Sequence, residues 1–308
     1  MSTRRVAWIV GLAAVIYAAA TWYVLGRFEI PPLGIVGIGM VVLAAACQMT
    51  AKWCFGLLFK EGVQEVGGEL DSVTAFKAAL VGAGVARLIP AGGAITPVAM
   101  AWTVRRQSNG VAGAAVRATL LNYSGLLILS GAGLIMARSP EGVEIAQTTL
   151  MALAPFAIVV GLVLMFGTGK LGSVGRFLPS RLREFLGHTM IDHAPAIRSQ
   201  VLTWGRLVLE GLALWLVMRA FGVEVTLGQA AAAFGVSQLA GGLPGLPGGL
   251  GLTEAGLVGV LAAYGYPAIE TVAPVLIFRL VSYWLPAAAG LFVGGATFIR
   301  SQPVEAAA

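Results

Sequence analysis

The residues best suited to chemistry are charged side chains inside otherwise apolar segments. An ionised group at mid-membrane costs about 2.5–3.5 kcal/mol on insertion scales, so such a residue usually faces a partner or a wet cavity. Five cations against two anions leave three positive charges unpaired, which favours an anionic ligand, and phosphate is the anion most available within a bilayer. The seven residues are Lys77, Arg87, Arg117, Arg206, Arg279, Glu210 and Glu254.

Four of these residues are predicted to bind the ligand. Arg87 stands one turn before a Pro/Gly break, and Arg117 lies within the apolar run that follows. Glu254 begins an apolar limb after a second break, where a helix dipole favours negative charge. Arg279, in the last apolar run, is its expected partner. The same residues also allow a structural interpretation.

The remaining charges favour structural roles. Arg206 and Glu210 are four residues apart on one predicted helix, where they can neutralise each other. Lys77 and Arg219 lie near segment ends, from which long side chains reach the headgroups.

Catalytic and metal-binding patterns are not found in the sequence. His188 and His193 lack metal-ligand spacing, and Glu254 has no nucleophile–base pair beside it. We therefore predict no catalytic residue, no metal and no cofactor. An intramembrane enzyme is the least favoured hypothesis.

The composition predicts a membrane protein. Of 308 residues, 58% are hydrophobic and 11% are charged, whereas soluble domains carry about 25% charge. The formal net charge is +6, and the basic residues lie mainly in membrane-flanking segments, where anionic lipid headgroups are the nearest partner. Nucleic acid is not expected as a partner.

Six apolar runs are long enough to cross a bilayer as helices. The first favours an uncleaved anchor over a secretory signal, because its apolar run continues past the small residues that imitate a cleavage site. The runs are Val6–Gly26, Leu33–Phe59, Val111–Met136, Thr149–Gly167, Val201–Phe221 and Thr271–Ile299.

Two shorter apolar segments, Ala75–Ile89 and Gln229–Leu243, would reach only about 22 Å as helices, against a hydrocarbon core of about 30 Å. Each runs into a Pro/Gly tip and then resumes, which predicts a re-entrant helical hairpin. The alternative is two unrelated breaks in an ordinary bundle. The tip residues are Pro90, Gly92, Gly93, Pro244, Pro247, Gly248, Gly249 and Gly251.

The distribution of Lys and Arg favours a cytoplasmic N-terminus, with Lys52 and Lys60 counted among the cytoplasmic residues. The two hairpins then enter from opposite sides, about 155 residues apart in sequence. We predict one integral membrane domain, 1–308, built as an inverted repeat whose tips meet near the midplane. Its parts are an N-terminal helix (1–32), a first repeat (33–136), a linking helix with a basic cytoplasmic loop (137–199) and a second repeat (200–299).

Two sequence segments carry a family resemblance. LPGLPGGLGLTEAG at 243–256 and IFRLVSYWLP at 277–286 resemble the signature of the lysylphosphatidylglycerol synthase transmembrane-domain family, also called flippase-like membrane proteins. The first half of this sequence differs from the family pattern, in which a Pro/Gly-rich tip is usually followed by Gly-Glu. Here the tip at 90–97 has no acid. Its recurring positions correspond here to Pro247, Gly248, Gly249, Gly251, Glu254 and Arg279.

The resemblance implies a role in moving an aminoacylated phospholipid between leaflets, with relatives tied to glycolipid or isoprenoid-lipid export. We therefore expect an all-α, multi-pass protein of the cytoplasmic (inner) membrane that moves an anionic phospholipid, glycolipid or polyprenyl-phosphate-linked lipid. The alternative is a scaffold that moves nothing and presents a lipid-linked substrate to a separate glycosyltransferase or aminoacyltransferase. Headgroup, direction, energy source and oligomeric state stay open.

Overall fold

The computed structural model describes residues 19, 22–23, 26, 33–86, 92–104, 111–137, 144–167, 196–242 and 249–300. All regular elements within these ranges are helical, as the sequence predicts. The helices from residue 33 onward are α1 (Ile35–Glu65), α2 (Ser72–Ala86), α3 (Gly92–Val104), α4 (Val111–Met136), α5 (Glu144–Gly167), α6 (Ile197–Ala220), α7 (Leu227–Gly241), α8 (Leu252–Ala263), α9 (Ala268–Arg279), a π-helical turn (Leu280–Trp284) and α10 (Leu285–Arg300).

Long apolar helices account for most of the predicted spans. Four helices of the described residues are long and apolar enough to cross a membrane. They are α1, α4, α6 and the continuous stretch Ala268–Gly294. α5 contains the shorter apolar helical stretch Met151–Phe166. The predicted span Val6–Gly26 lies largely outside the described residues. The fold is therefore that of an all-helical, polytopic membrane protein.

Two pairs of short helices lie between the long ones. α2 packs against α3, and α7 packs against α8. With 12 to 15 residues each, these helices are about 18–22 Å long and cannot cross the hydrocarbon core. Their re-entrant path through the membrane remains a prediction. The tip residues Pro90, Pro244, Pro247 and Gly248, together with Arg87, lie outside the described residues.

The helix bounds repeat along the chain at the predicted offset. The long–short–short–long order of α1 to α4 recurs from α6 to α10. Three helix ends in the first half have counterparts 155 positions later. These pairs are Glu65 and Ala220, Ser72 and Leu227, and Ala86 and Gly241.

The turns that join these helices repeat as well. Gly67 and Gly222 both have positive φ, 77° and 78°, and end the long helix in each half. Asp71 and Thr226, also 155 positions apart, cap the short helix that follows by accepting backbone N–H bonds. Hydrogen bonds from Thr74, above all from its side chain, lower the pKa of the Asp71 carboxyl.

Equivalent helices of the two halves run antiparallel. Gly37, near the start of α1, approaches the carbonyl of Ala220 at the end of α6. At the other end of the pair, Glu61 binds Arg198, which lies at the start of α6. The packing is also reciprocal, because α4 contacts α7 and α10 contacts α2. Such packing is what an inverted repeat produces.

Candidate functional site

A cavity of about 170 Å³ lies between the two halves. Its wall includes the end of each first short helix, at Ala86 and Gly241, and the first turns of the returning helices, at Thr96 and Thr253. The volume holds several water molecules but is below the roughly 300–1,000 Å³ of pockets for drug-sized ligands. The cavity is therefore suited only to a small group.

A buried ion cluster lies where α1 crosses α6. Lys52 Nζ is 2.6 Å from Glu210 Oε1, and Arg206 Nη2 is 3.3 Å from the same oxygen. All three side chains line the cavity. The prediction that Arg206 and Glu210 neutralise each other is therefore incomplete, because two cations share one carboxylate and leave a positive charge.

The position of Lys52 contradicts its prediction as a cytoplasmic residue. Lys52 lies in the middle of α1 and is buried. The positive-inside rule assumes that a lysine marks a loop or a membrane edge. Here an acid on another helix, 158 positions away, allows the lysine to stay inside the bundle.

Two further contacts fix the guanidinium of Arg206. Its Nη1 donates a hydrogen bond to Asn122 Oδ1 on α4, and its Cζ lies 4.4 Å from the ring centre of Phe55 on α1. Arg206 thus ties α6 to α1 and α4. Asn122 and Phe55 also line the cavity and were not singled out in the sequence.

The second ion pair is the one predicted. Arg279 Nε donates to Glu254 Oε1 at 2.7 Å, and Glu254 Oε2 accepts the N–H of Gly251 at 2.7 Å. The carboxylate therefore joins the start of α8 to the end of α9. Gly251 has a φ of 82°, and Gly249, with a φ of 68°, packs so closely on Gly241 that a side chain at 249 would collide with its carbonyl.

A π-helical turn follows Arg279 directly. It covers Leu280–Trp284 and brings Ser282 and Tyr283 to the cavity wall. The Tyr283 ring centre lies 4.3 Å from the Arg279 Cζ. Such turns occur frequently at functional sites. The turn was not predicted, because Thr271–Ile299 was interpreted as one continuous helical span.

The other predicted charges lie elsewhere. Arg117 binds Glu65 at the end of α1 and is not part of the cavity wall. Glu65 was missed because the predicted span ended at Phe59. Lys77 and Arg219 are exposed. The proposed ligand-binding role of Arg117 remains a prediction.

Two buried nitrogen atoms on the cavity wall lack a hydrogen-bond partner among the residues that the structure describes. They are Nε2 of Gln48 and Nη2 of Arg279, in side chains that belong to residues only 1% and 3% exposed. A buried donor left unsatisfied costs about 1–3 kcal/mol. Each atom needs an acceptor oxygen, which a ligand in the cavity can supply. Across the described ranges, no group of three or more His, Cys, Asp or Glu residues could hold a metal ion.

The sequence of the chain matches the profile of a known protein family. The profile described as "Lysylphosphatidylglycerol synthase TM region" matches residues 6–290. The chain belongs to this family. The motif by which it resembles the family supplies Gly249, Gly251, Glu254 and Arg279 of the site described above.

Two curated relatives of this family member are named UPF0104 membrane protein, from Methanothermobacter thermautotrophicus (strain ATCC 29096 / DSM 1053 / JCM 10044 / NBRC 100330 / Delta H). One is 34% identical over 90 residues, which is 29% of this chain and 26% of the relative. The other is 31% identical over 84 residues, 27% of this chain and 25% of the relative. The matched segments thus span about a quarter of each relative's length.

Proposed function

We propose that this protein moves an anionic membrane lipid between leaflets by passing the phosphate headgroup through the cavity. The substrate would be a phospholipid, a glycolipid or a polyprenyl-phosphate-linked lipid, in a cytoplasmic membrane with the N-terminus inside. The observation that carries the proposal is a pair of buried donors that line the cavity and have no partner in the described part of the chain, Gln48 Nε2 and Arg279 Nη2.

The charge of the described site supports an anionic ligand. Three cations, Lys52, Arg206 and Arg279, face two carboxylates, Glu210 and Glu254. One positive charge is therefore left over for a ligand. Phosphate oxygens accept hydrogen bonds from guanidinium and amide groups, and charge-assisted bonds of this kind are the strong ones.

The shape of the fold supports movement between leaflets. The cavity lies between antiparallel halves, an arrangement in which rocking of one half against the other can open a central site to each side in turn. Its volume suits a headgroup only, so the apolar tails would stay in the surrounding lipid. Only the polar group then needs a protected route.

A leaflet-exchange assay in reconstituted vesicles tests the proposal. We expect an Arg279→Gln, Glu254→Gln double variant to exchange a fluorescent anionic phospholipid about 10–100 times more slowly, because a charge-assisted bond of about 1.5–3 kcal/mol is lost. Replacing both residues avoids leaving either member of this ion pair buried without its partner. The control is Arg219→Gln, whose partner Glu224 is exposed. Equal rates for the native protein and the double variant would refute the proposal.

The scaffold hypothesis makes a different prediction in the same assay. The native protein would retain a phospho-lipid through purification but would not accelerate leaflet exchange. It would also co-purify with a separate glycosyltransferase or aminoacyltransferase.

A further inference from the structure

Uncharged polar side chains outnumber the charged ones on the cavity wall. We infer that the cavity selects a phosphodiester lipid whose headgroup carries hydroxyls, such as a polyol or a sugar, over a lipid whose headgroup carries an amine. This inference rests on the proposed function, because it concerns the ligand of the same site. It departs from the aminoacylated lipid that the family resemblance implies.

Side-chain amides are the first reason. Gln48, Asn122 and Gln238 bring an amide to the cavity from α1, α4 and α7. An amide offers two donors and an acceptor oxygen, whereas ionised phosphate oxygens only accept. The Asn122 oxygen already accepts a hydrogen bond from Arg206, but phosphate alone would leave the Gln238 oxygen without a donor. A hydroxyl group both donates and accepts, so it complements an amide.

Two of these amides have polar atoms without a hydrogen-bond partner among the described residues. The buried Gln48 amide nitrogen, which has no partner among the described residues, is a donor that the phosphate can satisfy. The Gln238 side chain is half-buried and makes no hydrogen bond to any described residue. Tyr123, whose hydroxyl group can also both donate and accept, lines the same cavity. Gln238 and Tyr123 are therefore the groups that we assign to the part of the headgroup that is not phosphate.

Charge is the second reason. Glu210 is the single acid among the described residues that line the cavity, and its Oε1 already binds Lys52 and Arg206. An ammonium group would enter a site where Lys52, Arg206 and Arg279 outnumber the acids. Like charges repel strongly where the surroundings are poor in water. A hydroxyl group adds no charge and avoids this cost.

Binding to short-chain lipids tests the inference without requiring transport. The full-length protein in detergent would be titrated with dioctanoyl forms of phosphatidylglycerol, phosphatidic acid and phosphatidylethanolamine. These headgroups carry a glycerol, no further group and an amine, respectively. We expect phosphatidylglycerol to bind at least about tenfold more tightly than either of the others, the effect of one or two satisfied hydrogen bonds.

A matched pair of variants tests whether the preference for phosphatidylglycerol arises in the cavity. Gln238→Leu should lower the affinity for phosphatidylglycerol to that for phosphatidic acid, and leave the affinity for phosphatidic acid unchanged. Gln64→Leu makes the same replacement on an exposed surface of α1 and should change neither affinity.

The outcomes separate this inference from the proposed function. Equal affinities, tighter binding of phosphatidylethanolamine, or no binding of any of the three lipids would overturn the inference. Selective binding of phosphatidylglycerol without leaflet exchange would support it and count against transport. Leaflet exchange with equal affinities would support transport and reject the selectivity.

Discussion

Glu210 holds two cations inside the bundle, Lys52 from α1 and Arg206 from its own helix. At the residue scale this cluster joins binding to stability, because the groups that give the cavity its positive charge also hold α1 against α6. Removing one partner from such a network leaves a buried charge unbalanced, whereas an exposed ion pair contributes little.

We predict that Glu210→Gln lowers the free energy of unfolding by about 3–5 kcal/mol, because Lys52 and Arg206 would then repel each other without a counter-charge. Unfolding by SDS titration from mixed micelles measures this change. Glu224→Gln removes the partner of Arg219 at an exposed turn and should cost no more than about 1 kcal/mol. Equal losses for the two variants would show that the cluster does not stabilise the crossing.

The sequence predicted part of this chemistry. The Glu254–Arg279 pair could be anticipated, because an acid at a helix start and an arginine in the last span both need partners. The Lys52–Glu210 contact could not, since neither spacing nor composition connects residues 158 positions apart. The same limit hid Glu65 as the partner of Arg117.

At the element scale, close helix contacts shape the molecule. α10 packs on α2 through Gly290, where a Cβ atom would lie 1.9 Å from the carbonyl oxygen of Leu80. The reciprocal contact of α4 with α7 uses Gly133, where a Cβ would lie 2.5 Å from the backbone nitrogen of Ala232. Glycine lets the helix backbones approach where neither hydrophobic force nor charge drives them together.

We predict that Gly290→Ala lowers the free energy of unfolding by about 1–3 kcal/mol, because the added methyl group must push α10 away from α2. Gly294→Ala is the control on the same helix, since its Cβ would lie 3.5 Å from Val81, an ordinary contact distance. Thermal unfolding in detergent distinguishes them. If both variants unfold at the native temperature, close packing at Gly290 does not matter for stability.

Helix positions were more predictable than helix interruptions. The bounds of α4 match the predicted run Val111–Met136, because an apolar run between polar segments sets them. The π-helical turn at Leu280–Trp284 was not predicted, because one extra residue in a turn leaves no mark on an apolar pattern.

At the scale of the whole molecule, the two halves place equivalent turns at opposite ends of the bundle. This follows from the antiparallel packing of α1 on α6, which end at Glu65 and Ala220. The sequence predicted the 155-residue offset through its two Pro/Gly tips. The reciprocal packing of α4 on α7 and α10 on α2 could not be predicted from the sequence, because it depends on contacts between the halves.

Glu69 and Glu224 test this arrangement, since they are exposed, 155 positions apart and located in equivalent turns. In a background without Cys47 and Cys54, we expect Glu69→Cys and Glu224→Cys to react with a membrane-impermeant thiol reagent from opposite sides of the membrane. Labelling of both positions from the same side would rule out an inverted repeat.

The central claim is that the cavity binds the phosphate of a membrane lipid. An electron cryomicroscopy structure of the full chain in nanodiscs containing phosphatidylglycerol tests it most directly. We predict density for a phosphate whose oxygen lies about 2.7–2.9 Å from Arg279 Nη2 and that also contacts the Gln48 amide. A cavity that holds only water, with ordered lipid confined to the outer surface of the helices, would contradict the claim.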